Sequence, residues 1–184
     1  MKDAILGVVL AGGLSSRFGT DKAEALYRGQ TLLDWSLGRL EGFAESVVIS
    51  GRAHPGHDSV EDRPHGGLGP LGGIAGAMAV AAERGFAHVL SLPCDTPHVP
   101  RALLAELCGE TRAAFAARCP VIGLWPSALA SELEEHLRQT GDRSVRSWAQ
   151  RIGALSVESG LPIANVNHPG DLERLALPPD ECAQ

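Results

Sequence analysis

Nothing in this chain pairs cysteines at metal-binding or disulfide-framework spacing. Cys94, Cys108, Cys119 and Cys182 are scattered through 184 residues with no CxxC, which excludes a zinc knuckle and a disulfide scaffold and leaves buried or idle thiols. No uninterrupted apolar run approaches the roughly 18 residues of a membrane span, so no membrane association is expected. Positive charge is also in short supply. Sixteen Lys and Arg against 22 Asp and Glu leave a net charge of −6 with no basic run, which opposes binding to DNA or RNA but leaves room for a small anion held by local cations. The N-terminal Met1-Lys2-Asp3-Ala4 lacks the basic and apolar regions of a secretory signal, and a cytoplasmic location is expected. No internal repeat or low-complexity block is visible. The length matches one domain, read as residues 1–177 followed by a tail, 178–184, expected to be disordered.

Two common nucleotide loops are missing as well. A dinucleotide fingerprint beginning at Gly12 needs glycine at positions 14 and 17, where the chain has Leu14 and Arg17, and no lysine follows Gly19 as a P-loop requires. What is present is a short apolar run, Ile5 to Leu10, stopping at Gly12-Gly13, with Arg17 and Lys22 close behind. The run has the length and β-branched content of a buried strand. The paired glycines let the backbone turn and present its N–H groups to a ligand without side chains in the way. Two cations beside such a hollow suit the phosphates of a nucleotide; an ordinary strand-ending turn is the alternative reading.

The rest of the chain alternates strand and helix. Thr31 can cap a helix carrying Leu33, Leu37 and Leu40, ending near Gly42, and Val47-Val48-Ile49 reads as a second buried strand. This βαβ unit implies a parallel sheet with helices on its faces and a ligand at the carboxyl ends of its strands. Residues 51–69 show no periodicity and read as a long functional loop, whose three histidines, His54, His57 and His65, read as loop punctuation rather than a metal site. Pro70 opens a helix to Arg84 ended by Gly85, and its glycines and alanines imply close approach to the sheet or to a ligand. His88 to Leu92 is a strand running into Pro93-Cys94-Asp95-Thr96-Pro97. Asp95, held between prolines at a strand's carboxyl end, is the best candidate for a Mg²⁺ ligand, the remaining positions going to phosphate and water; a turn cap is its other reading. A helix from Pro100, a strand from Val121 to Trp125 and a helix from Ser127 follow. Asp142 can cap a further helix whose Arg143, Arg146 and Arg151 flank Trp148, either as a second anion site or as a solvated face anchored by Trp148. Ile163 to Asn167 alternates like a strand, with Asn165 and Asn167 on one face, before a last helix from Pro169.

Taken in order, Leu10-Ala11-Gly12-Gly13, Ser16-Arg17, Asp21-Lys22, Gly69-Pro70-Leu71-Gly72-Gly73, Pro93-Cys94-Asp95-Thr96-Pro97 and Asn165-Val166-Asn167 closely resemble the molybdenum cofactor guanylyltransferases over nearly the whole chain. The first of these segments fits many nucleotidyltransferases; the last two narrow the match. The resemblance implies a single-domain, three-layer α/β Rossmann-like nucleotidyltransferase fold with a mostly parallel central sheet. It also implies transfer of GMP from GTP to molybdenum-bound molybdopterin with Mg²⁺. Leu10, Ala11, Gly12 and Gly13 then match the nucleotide-binding turn, Lys22 the phosphate lysine, Asp62 a nucleotide contact, Asp95 the metal ligand, and Asn165 and Asn167 positions near the reacting phosphates. With Arg17, Lys22 and Asp95 form the expected catalytic set. Ser50 stands where the family usually has Asn at a nucleotide contact, and 108–120 is shorter than the family's usual strand and hairpin. Cofactor-biosynthesis proteins and acceptor molybdoenzymes are the implied protein partners. A cytidylyltransferase or other nucleotidyltransferase acting on a small phosphorylated acceptor, and a non-catalytic nucleotide-binding paralogue, are the alternatives.

Overall fold

The computed structural model describes residues 4–12 and 21–175. Gly13 and Arg17 of the expected nucleotide turn, Cys182 and the 178–184 tail lie outside the described residues.

β1 (Ile5–Leu10) is buried at every position, as its unbroken apolar run requires for a strand covered on both faces. A short 3₁₀ turn at Lys22–Glu24 leads to the hairpin β2 (Leu26–Tyr27) and β3 (Gln30–Thr31), a feature the sequence reading did not contain. α1 (Leu32–Leu40) starts at Thr31, whose hydroxyl accepts from the Asp34 N–H while the Asp34 carboxylate accepts in return from the Thr31 backbone. That reciprocal pair satisfies N–H groups the first turn would otherwise leave unpaired. β4 (Ser46–Ser50) follows.

The expectation of an unstructured 51–69 loop needs correction. β5 (Asp58–Val60) lies within it and pairs in parallel with β4; three residues flanked by His, Gly and Pro are too few to show a period. α2 (Pro70–Arg84) begins at Pro70 and stops at Gly85, which takes φ +80°, the left-handed conformation that ends a helix cheaply. β6 (His88–Pro93) and α3 (Arg101–Leu107) come next. The short 108–120 segment still holds β7 (Ala114–Ala116), which pairs with β8 (Cys119–Pro126) as a hairpin.

Ser127–Leu129 is a 3₁₀ turn before α4 (Ala130–Thr140) rather than part of the helix itself. α5 (Val145–Arg151) is capped by Ser144, not by Asp142. The Asp142 carboxylate instead accepts from the Ser144 N–H, one step outside the helix. β9 (Leu155–Val157) and α6 (Pro169–Leu172) complete the described elements. The strand expected over 163–167 does not form. That segment pairs with no sheet edge and crosses the end of β6, where the Val166 N–H donates to the Asp95 carbonyl at 2.9 Å.

The seven-stranded sheet runs β5-β4-β1-β6-β8-β7-β9, and β8 alone is antiparallel to its neighbours. Alternate side chains of each strand feed opposite cores. Leu6, Val8 and Leu10 pack with α2, α4 and α5, while Ile5 and Val9 pack with α1 and α3. The sheet is thus the middle of three layers. Among the described residues, no helix is long and apolar enough to cross a membrane.

Candidate active site

The carboxyl ends of β1, β4 and β6 open onto a cleft of about 1190 Å³, where the ligand of such a sheet is expected. Its floor is backbone. The Ala11 N–H donates to the Ser50 carbonyl at 2.9 Å, and Gly51, at φ +91°, lies so near Gly12 that a Cβ on it would stand 2.2 Å from the Gly12 Cα. Any side chain at Gly51 would force apart the two strand ends that form this floor.

On one wall stands Lys22, its ammonium 2.9 Å from Asp95 Oδ2. Two positions 73 residues apart in sequence meet because β1 and β6 are adjacent and each leads into this edge. The side chains are 15% and 26% exposed, so the pair is partly shielded yet open to a ligand. The backbone of Asp95 is tied down by Val166, and Asn165 lines the cleft beside it. Asn167 is not among the lining residues; its backbone N–H is taken by the Asp171 carboxylate at 2.8 Å.

On the opposite wall Asp62 lies beside the start of α2. It accepts from the Leu68 N–H at 3.3 Å and from the Ser50 hydroxyl at 3.4 Å. The glycines of α2 are explained by this contact. A Cβ on Gly72 would stand 3.1 Å from the Asp62 carboxyl carbon, one on Gly73 2.4 Å from Ser50 Oγ, and one on Gly76 2.0 Å from the Glu61 carbonyl oxygen. Of the two meanings open to these small residues, close approach to strand ends and loop is the one observed. Leu10, Ala11, Gly12, Lys22, Ser50, Asp62, Asp95 and Asn165 therefore share one cleft, within the described residues.

Sequence reasoning missed Arg52. It lines the same cleft just beyond β4, and its guanidinium forks onto the Asp21 carboxylate at 2.9 and 2.8 Å while reaching Glu24 at 2.9 Å. That hydrogen-bonded fork holds the Asp21 carboxyl below the usual carboxylate range and raises the arginine above its own. A cation immediately after the carboxyl end of a parallel strand was the available signal. Burial, reinforced by the Asp95 carboxylate, pushes the Cys94 thiol up to about 12, so it is a neutral wall rather than a nucleophile. Two of the three arginines near Trp148 serve structure: Arg143 donates to the Gly67 carbonyl and Arg146 to that of Ala117, while Trp148 is fully buried.

A divalent cation fits this cleft. Its described lining has four carboxylates, Asp21, Glu61, Asp62 and Asp95, against two full cations, Lys22 and Arg52, so a polyphosphate entering it needs further positive charge. One oxygen of Asp95 faces Lys22, and the other accepts no hydrogen bond among the described residues. No group of three His, Cys, Asp or Glu assembles among the described residues. That donor set suits a metal taking one protein carboxylate with phosphate and water in its other positions.

A family model described as the MobA-like NTP transferase domain matches residues 7–155. The chain belongs to the MobA-like NTP transferase family. It is a nucleotidyltransferase. The molybdenum cofactor guanylyltransferase of Sinorhizobium fredii is 36% identical, with 90% of this chain and 88% of that protein covered. Among solved structures, molybdopterin-guanine dinucleotide biosynthesis protein A from Archaeoglobus fulgidus superposes with a TM-score of 0.71 at 24% identity, covering 92% of this chain and 95% of the other. The 2-C-methyl-D-erythritol 4-phosphate cytidylyltransferase of Thermus thermophilus superposes at 0.67 with 20% identity, covering 91% and 95%. At these identities the two structures share the fold with this MobA-like protein.

Proposed function

We propose that this protein transfers GMP from GTP to the terminal phosphate of molybdenum-bound molybdopterin, releasing pyrophosphate. The observation that carries the reading is the Lys22–Asp95 pair on one wall of a backbone-floored cleft, in a chain whose relatives are named for that transfer. In this reading Leu10, Ala11, Gly12 and Gly13 seat the nucleotide, and Arg17 is a further cation for its phosphates. Ser50 and Asp62 contact the nucleoside end, and Lys22 holds the phosphates that will leave. Asn165, which lines the cleft, stands on the acceptor side, with Asn167 just outside the lining.

The attacking group is already an anion, so no general base is required. An acceptor phosphate oxygen forms a bond to the α-phosphorus, the bond from that phosphorus to the bridging oxygen of the β-phosphate breaks, and the electron pair leaves with pyrophosphate. Bringing two anions together is the obstacle. Mg²⁺ held by Asp95 would supply charge neutralisation and orientation at the α-phosphate. Lys22 and the loop N–H groups act on the departing pyrophosphate, positioning it in line and offsetting the charge that develops on it. The product serves acceptor molybdoenzymes, together with other cofactor-biosynthesis proteins, in the cytoplasm.

Pyrophosphate release tests this directly. The protein is incubated with molybdenum-loaded molybdopterin, Mg²⁺ and GTP, CTP, ATP or UTP in parallel. Release with GTP, lost on chelating the metal and restored by Mg²⁺, is the expected result. Release with CTP instead would reassign the base. GTP binding without release, acceptor supplied, would make the protein a nucleotide binder and overturn the proposal.

A further inference from the structure

Arg52 is a cation inside the cleft that the reaction as described does not use. Its side chain is only 20% exposed, against 52% and 53% for its partners Asp21 and Glu24. Both terminal nitrogens meet those carboxylates, while the Nε is buried without a partner among the described residues. Asp21 in turn does two jobs. It accepts the Arg52 fork, and its Oδ1 accepts from the Ala23 N–H at 3.1 Å as the cap of the short 3₁₀ turn. Lys22 is the first residue of that turn and carries the ammonium that meets Asp95 on the same wall of the cleft.

We infer that Arg52 is a positioning residue: by clamping the Asp21 carboxylate from the β4 side of the cleft, it fixes the 3₁₀ turn and thereby aims Lys22 at the Asp95 side. Three residues of 3₁₀ helix with one side-chain cap cannot hold a long lysine in one place unaided. A planar fork onto a carboxylate restrains orientation as well as distance, which a lone ammonium does not. The clamp joins the end of the nucleotide turn to the end of a strand 31 residues further along the chain. Misplacement of a reacting group by about 1 Å can cost on the order of 10²-fold in rate, so such a strut matters beyond its own modest ion-pair energy. The inference rests on the functional reading for its effect on catalysis, not for its effect on Lys22.

The test uses Arg52→Ala, Arg52→Lys and, as a second route to the same break, Asp21→Asn, each checked for native circular dichroism. Lys22 acylation by acetic anhydride, read by mass spectrometry, reports its freedom without any nucleotide. Both Arg52→Ala and Asp21→Asn are expected to raise Lys22 labelling several-fold relative to the other lysine, Lys2, with Arg52→Lys in between. GTP affinity with Mg²⁺ falls about tenfold in Arg52→Ala, the scale of one lost charge-assisted contact, but less than about twofold further when Lys22→Ala is already present, because coupled residues are not additive. Unchanged Lys22 labelling in both folded variants overturns the inference. So does an equal loss of GTP affinity in the two backgrounds, which would mean that Arg52 touches the nucleotide itself. Labelling that responds to Arg52→Ala in a protein with no affinity for GTP supports the strut and removes the functional reading.

Discussion

Gly76→Ala sets two effects of opposite sign against each other. In the middle of α2 (Pro70–Arg84), replacing Gly by Ala contributes about 1 kcal/mol in helix propensity. Yet the added methyl would stand 2.0 Å from the Glu61 carbonyl oxygen and 3.1 Å from its carbon, where carbon contacts settle near about 3.5 Å. The obstacle is backbone and cannot swing aside, so α2 or the Glu61–Asp62 segment must move by on the order of an ångström. Overpacking of this kind costs roughly 1–3 kcal/mol, sometimes more, so the variant should be less stable than the parent despite its better propensity. Gly38 in α1 is the control: a methyl there meets nothing within 4 Å, and Gly38→Ala should gain up to about 1 kcal/mol. Urea unfolding of the three proteins resolves the difference, which at this chain length corresponds to about 2–4 °C in Tm per kcal/mol. Because the displaced segment carries Asp62, GTP affinity should fall in Gly76→Ala and not in Gly38→Ala. Equal stabilisation of both variants would refute the packing account of the α2 glycines.

Lys22→Ala and Asp95→Ala should each lower kcat/KM by about 10²–10³ in the pyrophosphate assay, and normal turnover by Asp95→Ala with Mg²⁺ would remove its metal role. Ser91→Ala, in the fully buried centre of β6, strips the Trp125 indole N–H of its 2.9 Å acceptor and should cost about 1–3 kcal/mol in denaturant unfolding. The Asp21 carboxyl is held below its ordinary range by Arg52, so the clamp's stability is present above that ordinary range and lost as pH falls through the lowered folded value. Half of Asp21 being exposed, the difference between the parent and Asp21→Asn should stay under about 1 kcal/mol near neutrality and shrink toward zero in acid.

How much of this was legible beforehand depended on the kind of signal. β1, α1 and α2 could be read because a buried strand, a Thr–Asp cap and a Pro-to-Gly helix each write their boundaries into a few local residues. Lys22 and Asp95 could be read from their places after strand ends, and Asp62 only through a family pattern, but their sharing of one cleft is a product of strand order, which places β4 and β6 on either side of β1. β5 and the β2–β3 hairpin were invisible because two or three residues cannot display a period. The stretch around Asn165 misled: alternation there reflects one buried residue, Val166, between two exposed ones, not membership of a sheet. Arg52 left only the faint mark of a charge following a strand, since its partners are set by tertiary placement.

The bond from the Val166 amide to the Asp95 carbonyl braces the loop after β6 with a segment made after the sheet. A nascent chain can lay down the whole sheet once Val157 has emerged, yet the strap across the acidic loop is synthesised afterwards. A fragment halted at residue 160 would retain every strand of that sheet while leaving the loop that presents Asp95 without its brace. The sheet and the brace on its acidic loop are thereby completed at different points along the chain, with the 163–167 stretch acting as a finishing latch.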